Sequence, residues 1–383
     1  MECPGSSYWR LSSFYLAYFA LLGGIVPFWG LYLQSLGFDE VAIGALMAML
    51  MATRIIAPNL WGWLADRSGR RVLVIRLGAF ATLAVFSFAF EAKGFGQLLW
   101  LMFGFSFFWN GILPQFEVVT LRALGEHKHR YSRVRVWGSV GFILAVVLLG
   151  ALFDYVEIGY LVPILWGLML LLALSTLWVP ATTENVVSRH HGALSATLRR
   201  PEVLAFLGVC LLIQLGHGPY YSFYSIYMAE QGYGKVAIGL LWALGVVAEV
   251  GVFLVMHRLI AFVGLRRLVL ASLLTCVLRW WLTAGYPDVL PLVLIAQVLH
   301  AVTFGCLHAA AIALVHHFFP ASTQGQGQAL YSSVGFGIGG ALGAYLSGVI
   351  WSGFDGEAIF WFAAVVSLMG WVVAWRWLKL ASM

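Results

Sequence analysis

Gly62-Trp-Leu-Ala65-Asp66-Arg67-Ser68-Gly69-Arg70-Arg71 is a basic, turn-forming stretch set between two apolar runs, about 40–64 and 72–91. Its composition describes a tight turn at a membrane surface. Gly69 is free to adopt φ > 0, and the arginines hold the turn on the side where positive charge collects. A spanning helix needs roughly 20 mostly apolar residues, and such a run stands on each side of the turn.

The rest of the chain has the same character. Of its 383 residues, 62% are hydrophobic and 10% charged, against roughly 25% charged in a soluble domain. That composition excludes a soluble globular protein, a disordered chain, a disulfide scaffold and a nucleic-acid binder with a basic surface. Three of the four cysteines (Cys210, Cys276, Cys306) lie inside apolar runs and Cys3 is near the start. With no metal-ligand spacing they read as free thiols packed among helices, and no metal or cofactor is expected. The first apolar run, Leu11 to Leu33, is too long for a signal-peptide core and is expected to remain as a span.

The spacing predicts twelve spans, at about 10–34, 40–64, 72–91, 96–122, 132–153, 159–180, 202–229, 236–260, 266–284, 289–317, 325–351 and 357–378. The fold class is an all-α polytopic membrane protein of two six-helix bundles, 1–180 and 201–383, joined by a polar linker at 181–200. With the N-terminus cytoplasmic, only Lys93 and Lys235 among the 22 Lys and Arg residues fall on outside connections, with nine acids: Asp39, Glu40, Glu91, Asp154, Glu157, Glu230, Asp288, Asp355 and Glu357. Arg54 and Arg279 fall within spans, and all other basic residues lie inside. Both termini are therefore expected in the cytoplasm, with the protein in a bacterial-type inner membrane.

The two halves repeat. Tyr32-Leu-Gln-Ser-Leu-Gly-Phe-Asp-Glu-Val-Ala-Ile-Gly44 lines up with Tyr227-Met-Ala-Glu-Gln-Gly-Tyr-Gly-Lys-Val-Ala-Ile-Gly239 at an offset of 195, a register continued by Gly69 and Arg71 opposite Gly264 and Arg266. Ser139-Val-Gly-Phe142 matches Ser333-Val-Gly-Phe336. A parallel repeat about a central site is a transporter architecture, and paired Gly/Pro interruptions in corresponding helices point to that site. Helix 1 carries Gly23, Gly24 and Pro27, and helix 7 carries Gly216, Gly218 and Pro219. Simple kinking for packing is the alternative.

The opening stretch resembles the G-x-x-A-D-R-x-G-R-R signature of the major facilitator superfamily, matched at each fixed position. The resemblance implies a gating loop in which Gly62, Asp66, Arg67, Gly69, Arg70 and Arg71 help to lock one state of an alternating-access cycle. The second-half turn keeps Gly264, Arg266 and Arg267 but has Ala261 where the acid would stand. Leu113-Pro-Gln-Phe-Glu117, Tyr131-Ser-Arg-Val-Arg-Val-Trp137-Gly-Ser-Val-Gly-Phe142 and Gln297-Val-Leu-His300-Ala-Val-Thr-Phe304-Gly-Cys-Leu-His308 are similar to the phenylpropionate-permease branch. Lactose-permease-like proton symporters are more distantly similar.

Charges inside a bilayer cost at least ~2.5–3.5 kcal/mol each and are functional candidates. They are Arg54, Glu117, Glu249 and Arg279, joined by His217, His300 and His308. Glu249 and Arg279 lie at similar depth on consecutive helices, which suggests a neutralising pair, either structural or mechanistic. Acid, arginine and histidine on helices 8, 9 and 10 resemble the proton-coupling cluster of the lactose-permease-like symporters. Helix 10, however, has Thr303 and Ala311 three residues after its histidines, where those symporters place a carboxylate. The expected proton-coupling set is Glu117, Glu249, Arg279, His300 and His308. Arg54 is expected to pair with Glu117, and His217 and His300 also suit satisfied core positions.

Aromatic residues crowd helices 1, 4 and 7. Phe28, Trp29, Tyr220 and Tyr221 stand near the Gly/Pro positions and, with Arg54, Glu117, Trp137 and His308, form the expected substrate-binding set. Interfacial belts are the other reading of such residues. Gly335, Gly339, Gly343 and Ser347 form a small-residue stripe on helix 11, expected to pack against helix 2. No nucleotide-binding Gly-rich loop or nucleophile–base constellation is present, so an enzyme or an ATP-driven pump is not expected. The sequence points to a monomeric secondary transporter moving a small organic molecule, an aromatic or other carboxylic acid, with protons across the lipid bilayer. Proton-driven efflux and a non-transporting ligand sensor are the rival readings.

Overall fold

The computed structural model describes residues 4–179, 194–320 and 322–379. Among them twelve helices are long and apolar enough to cross a membrane: α1 (Tyr8–Ser35), α2 (Glu40–Ser68), α3 (Arg71–Phe90), α4 (Phe95–His127), α5 (Tyr131–Phe153), α6 (Ile158–Leu177), α7 (Pro201–Glu230), α8 (Lys235–Val263), α9 (Leu265–Gly285), α10 (Leu290–Phe318), α11 (Gln324–Gly353) and α12 (Gly356–Trp377). Each expected span falls on one of them, and the described residues contain no strand. Of the expected linker, 181–193 lies outside the described residues, as does Cys3; a short helix, Leu194–Leu198, precedes α7.

The repeat is written into the backbone. Glycines with φ > 0 recur 195 positions apart, Gly37 (φ 85°) with Gly232 (φ 85°), and Gly69 (φ 62°) with Gly264 (φ 81°). Gly69 closes the first part of the opening motif as a left-handed cap, its N–H bonding to the Ala65 carbonyl.

Close packing divides the helices into two units. The first holds Met1–Phe38, Thr53–Ser188 and Gly234–Ala243, and the second Asp39–Ala52, Arg189–Tyr233 and Leu244–Met383, so far as these are described. The start of α2 thus packs with the second unit, on α11, and the start of α8 with the first, on α5. In the first unit Arg76 of α3 donates to the carbonyls of Thr176 (3.2 Å), Leu177 (3.3 Å) and Val179 (2.7 Å) at the end of α6. In the second, Arg266 of α9 donates to the carbonyls of Trp375 and Leu378 (2.8 Å each) at the end of α12. Each arginine satisfies carbonyls that a helix end leaves unpaired.

Two expectations change. Helices α1 and α7 run unbroken through Pro27 and Pro219. Their glycines admit neighbours instead: Gly23 faces the Phe142 carbonyl and Ala145 of α5, Gly24 faces Leu165 of α6, and Gly216 faces the Ala363 carbonyl and Ser367 of α12. A hydrogen in place of Cβ is what lets backbones approach so closely. The α11 stripe is also differently aimed. Gly335, Gly339 and Gly343 face carbonyls of Cys210, Leu211 and Leu215 on α7, while the ridge one residue on, Gly340, Ala344 and Gly348, meets Met51, Gly44 and Glu40 of α2.

The helices break elsewhere. A 3-10 turn at Thr53–Ile55 interrupts α2 just before Pro58, whose ring disfavours helical geometry in the residue before it. Segments Ala301–Cys306 in α10 and Ser332–Gly339 in α11 are π-helical. Such turns are frequent at functional sites.

Candidate functional site

The first unit gathers charge around the α2 break. Arg54 sits in the 3-10 turn and its Nε donates to Asn110 Oδ1 of α4 at 3.3 Å. Asn110 Nδ2 donates to Thr53 Oγ1 at 2.8 Å, and Thr53 donates to Ser106 at 2.9 Å. One turn and three residues further along α4, Glu117 Oε1 accepts from the Tyr131 hydroxyl at 3.3 Å. Arg135, one turn beyond Tyr131 on α5, is the positive group acting on Glu117, and its guanidinium lies 4.0 Å from the Phe19 ring centroid and 5.5 Å from that of Tyr15. Tyr18 lies in the field of Arg54, Glu117 and Arg135 together and stacks on Trp109 (centroids 5.1 Å, 24°). Arg54, Glu117, Tyr131 and Arg135 are half-buried. The result is an acid between a tyrosine and an arginine with aromatic faces around them; Arg54, expected to pair with Glu117, bonds to Asn110.

The second unit builds on the rigid end of α9. Arg279 is fully buried and is held by the Ala296 carbonyl (3.0 Å) and Thr303 Oγ1 (3.2 Å) of α10. The rings of Tyr220 and Trp280 each stand 4.3 Å from its guanidinium carbon, an arrangement that spreads a buried cation over aromatic faces. The Glu249 carboxylate lies 3.8 Å from His300 Nε2. Arg279 Nη2, His217 Nε2 and His300 Nδ1 have no hydrogen-bond partner among the described residues. His217 Nδ1 faces the Ile213 carbonyl at 2.8 Å; a carbonyl only accepts, so that nitrogen carries the proton. Tyr220 donates to Gln297 (2.9 Å), which donates in turn to Tyr224 (2.6 Å).

The π turn of α10 lies between two histidines. His300, Phe304 and His308 stack in one column, with interplanar angles of 11° and 3°. Below it, His308 Nδ1 pairs with the Tyr331 hydroxyl at 2.8 Å, beside a cavity of about 20 Å³ lined by Gln214, Thr303, Phe304, His308 and Tyr331 among others. That is room for a single water.

The structure thus groups Arg54 with Glu117 in one unit, and Tyr220, Tyr221, Glu249, Arg279, His300 and His308 in the other. Tyr221 faces the Phe304 ring edge-on at 6.3 Å. Three expected residues stand apart. Phe28 packs on Phe153 and Trp29 on Tyr32 and Phe86, about 15 Å along α1 from Tyr18 at 1.5 Å per residue. Trp137 donates to the Tyr8 hydroxyl at 2.7 Å and packs on Trp9. Residues that sequence reasoning passes over are Arg135, grouped there with the surface charges, and Thr53, Asn110 and Gln297. The one available signal is the spacing of Arg135, a helical turn after Tyr131.

In the basic turn, Asp66 pairs with Arg71, and Arg71 is buried and also donates to Gln115 of α4. A Cβ at Gly62 would come within 3.2 Å of Gln115 Nε2, and Arg67 covers the Trp63 ring at 5.5 Å. Arg70 is exposed. The motif is thus locked onto α4 by its last arginine, and only its middle arginines remain at the surface.

Residues 8–363 match the family described as the MFS_1 like family. The chain is 31% identical over 364 residues to a probable 3-phenylpropionic acid transporter of Escherichia coli, covering 92% of this chain and 93% of that one. It is 26% identical to the maltose permease of Geobacillus stearothermophilus, over 93% and 91% of the two chains. Among solved structures, the nucleoside transporter NupG superposes with a TM-score of 0.84 at 18% identity, over 98% of this chain and 99% of that one. The human organic anion transporter MFSD10 gives 0.67 at 16%, over 97% and 100%. These last two show the fold; with the family match and the relatives, they establish that the chain is a membrane transporter, not an enzyme, and belongs to the MFS_1-like family of the major facilitator superfamily.

Proposed function

We propose that this transporter carries a small aromatic carboxylic acid together with protons, by alternating access, as a monomer in the bacterial inner membrane with both termini in the cytoplasm. The observation that carries the reading is Glu117 set between Tyr131 and Arg135 among the rings of Tyr15, Tyr18 and Phe19. Guanidinium groups suit a carboxylate and aromatic faces suit a phenyl body. A half-buried acid beside them suits exchange of a proton as the anion arrives or leaves. The second unit supplies Glu249, His300 and His308, whose hydrogen-bonded and stacked positions suit proton binding, with Arg279 as the fixed charge that sets their field. The substrate for which the Escherichia coli relative is named, 3-phenylpropionic acid, agrees with this chemistry. The Asp66–Arg71 turn serves as the gating loop, and the two six-helix halves joined at 181–200 serve as the moving bodies.

The test is uptake of radiolabelled 3-phenylpropionate into proteoliposomes, with the interior alkaline and then with a protonophore added. Accumulation that collapses with the gradient supports the reading. Uptake indifferent to the gradient removes the proton, and no uptake of any aromatic acid removes the substrate class.

A further inference from the structure

The two repeats differ where one helix begins. Phe38-Asp39-Glu40 opens α2, and its counterpart Tyr233-Gly234-Lys235 opens α8. Asp39 accepts a hydrogen bond from the Ala42 N–H at 2.8 Å, an ordinary N-cap that satisfies one of the free donors of a helix start. Gly234 has no side chain to do this. In its place Asp154 accepts from the N–H of Lys235 at 2.7 Å and from that of Val236 at 3.3 Å.

Asp154 belongs to a different helix, 81 positions earlier, at the C-cap of α5. An acid is unfavourable there for α5 itself, because the carbonyl end of a helix is its negative pole. Its favourable partner is the positive start of α8. Directly behind it the two helices meet backbone to backbone. Gly150 abuts the Lys235 carbonyl, and Gly239 abuts the Val146 carbonyl and the Gly150 Cα.

We infer that Asp154 is a latch between α5 and α8, capping α8 only while the two helices remain together at this end. The cap of α2 is its own and stays with it whatever its neighbour does. Parting α5 from α8 therefore strips the start of α8 of its acceptor, whereas parting α2 from α11 strips nothing. Loss of Asp154 accordingly favours the conformation in which α5 and α8 are apart. This deepens the alternating-access reading and rests on it.

The test uses the purified full-length chain in detergent, without substrate or gradient. Cys3, Cys210, Cys276 and Cys306 are replaced by Ser, and Val146→Cys, fully buried at the α5–α8 contact, reports opening through its rate of alkylation by a maleimide. Asp154→Ala should label about fivefold faster and melt at a lower temperature, in line with the usual cost of losing a cap. Asp154→Asn keeps an accepting oxygen and should label at close to the parental rate. Gly234 has room for a side chain, since a Cβ there meets Asp154 Oδ2 at 3.4 Å. Asp154→Ala with Gly234→Asp should therefore regain a cap local to α8. In that double variant the melting temperature should recover while labelling stays fast.

An Asp154→Ala rate within twofold of the parent overturns the latch. So does a double variant whose labelling returns to the parental rate with its melting temperature, since Asp154 is then a cap and nothing more. Neither readout involves uptake, so failure of the latch and failure of the substrate reading are seen separately.

Discussion

His300 Nε2 stands 3.8 Å from Glu249 Oε2, while Arg279 lies over the rings of Tyr220 and Trp280 and donates to Thr303. In the proposed symport this pair is the proton carrier of the second unit. Glu249→Gln should reduce gradient-driven accumulation of 3-phenylpropionate at least tenfold and leave exchange of internal for external substrate within about threefold. Equal loss of both would make Glu249 a structural residue. Comparing the two assays on the same proteoliposomes decides it.

Arg71 is buried and holds both Asp66 and Gln115. Removing one partner of a buried pair leaves an uncompensated charge, although Asp66 is 37% exposed and solvent softens the loss. Arg71→Ala should cost about 1–3 kcal/mol, visible as a drop of several degrees in melting temperature. Arg70→Ala, at an exposed side chain, should change it by less than about 0.5 kcal/mol.

Glycines of α7 divide into two kinds. A Cβ at Gly218 would run into the backbone of Gly343, whereas one at Gly208 meets nothing within 4 Å. Gly218→Ala should lower the melting temperature, since one of two packed backbones must move. Gly208→Ala should leave it unchanged or raise it slightly, alanine being the better helix former by up to about 1 kcal/mol. Thermal unfolding of the two variants side by side checks the pair.

Arg76 and Arg266 each close the carbonyl end of the last helix of a half. Arg76→Met and Arg266→Met keep most of the apolar stem and lose the donors, so each should destabilise by about 1–3 kcal/mol. Limited proteolysis should show early cutting after α6 in the first variant and after α12 in the second.

The twelve helices and the glycine turns were legible in the sequence because each depends on a local property: apolar length, or φ > 0 at Gly69 and Gly264. The site was legible only in part. Glu117 and Arg279 stand out as charges in apolar runs, but what each touches is decided by the neighbouring helix. The Arg54–Asn110–Thr53 link sits at the 3-10 turn that precedes Pro58, and the stack of His300, Phe304 and His308 runs through the π turn of α10. Neither has a compositional signature. Pro27 and Pro219 misled for the converse reason: a proline inside a helix packed on several sides costs a hydrogen bond without bending the chain out of helical geometry.

Gly44 and Gly239 are 195 positions apart, as the repeat requires, but the glycines they rest on, Gly348 and Gly150, are 198 apart. The seam between α2 and α11 is therefore displaced by about one helical turn, roughly 5.4 Å, from its counterpart between α8 and α5. The turn's displacement leaves the two seams of the repeat held by residues that do not correspond.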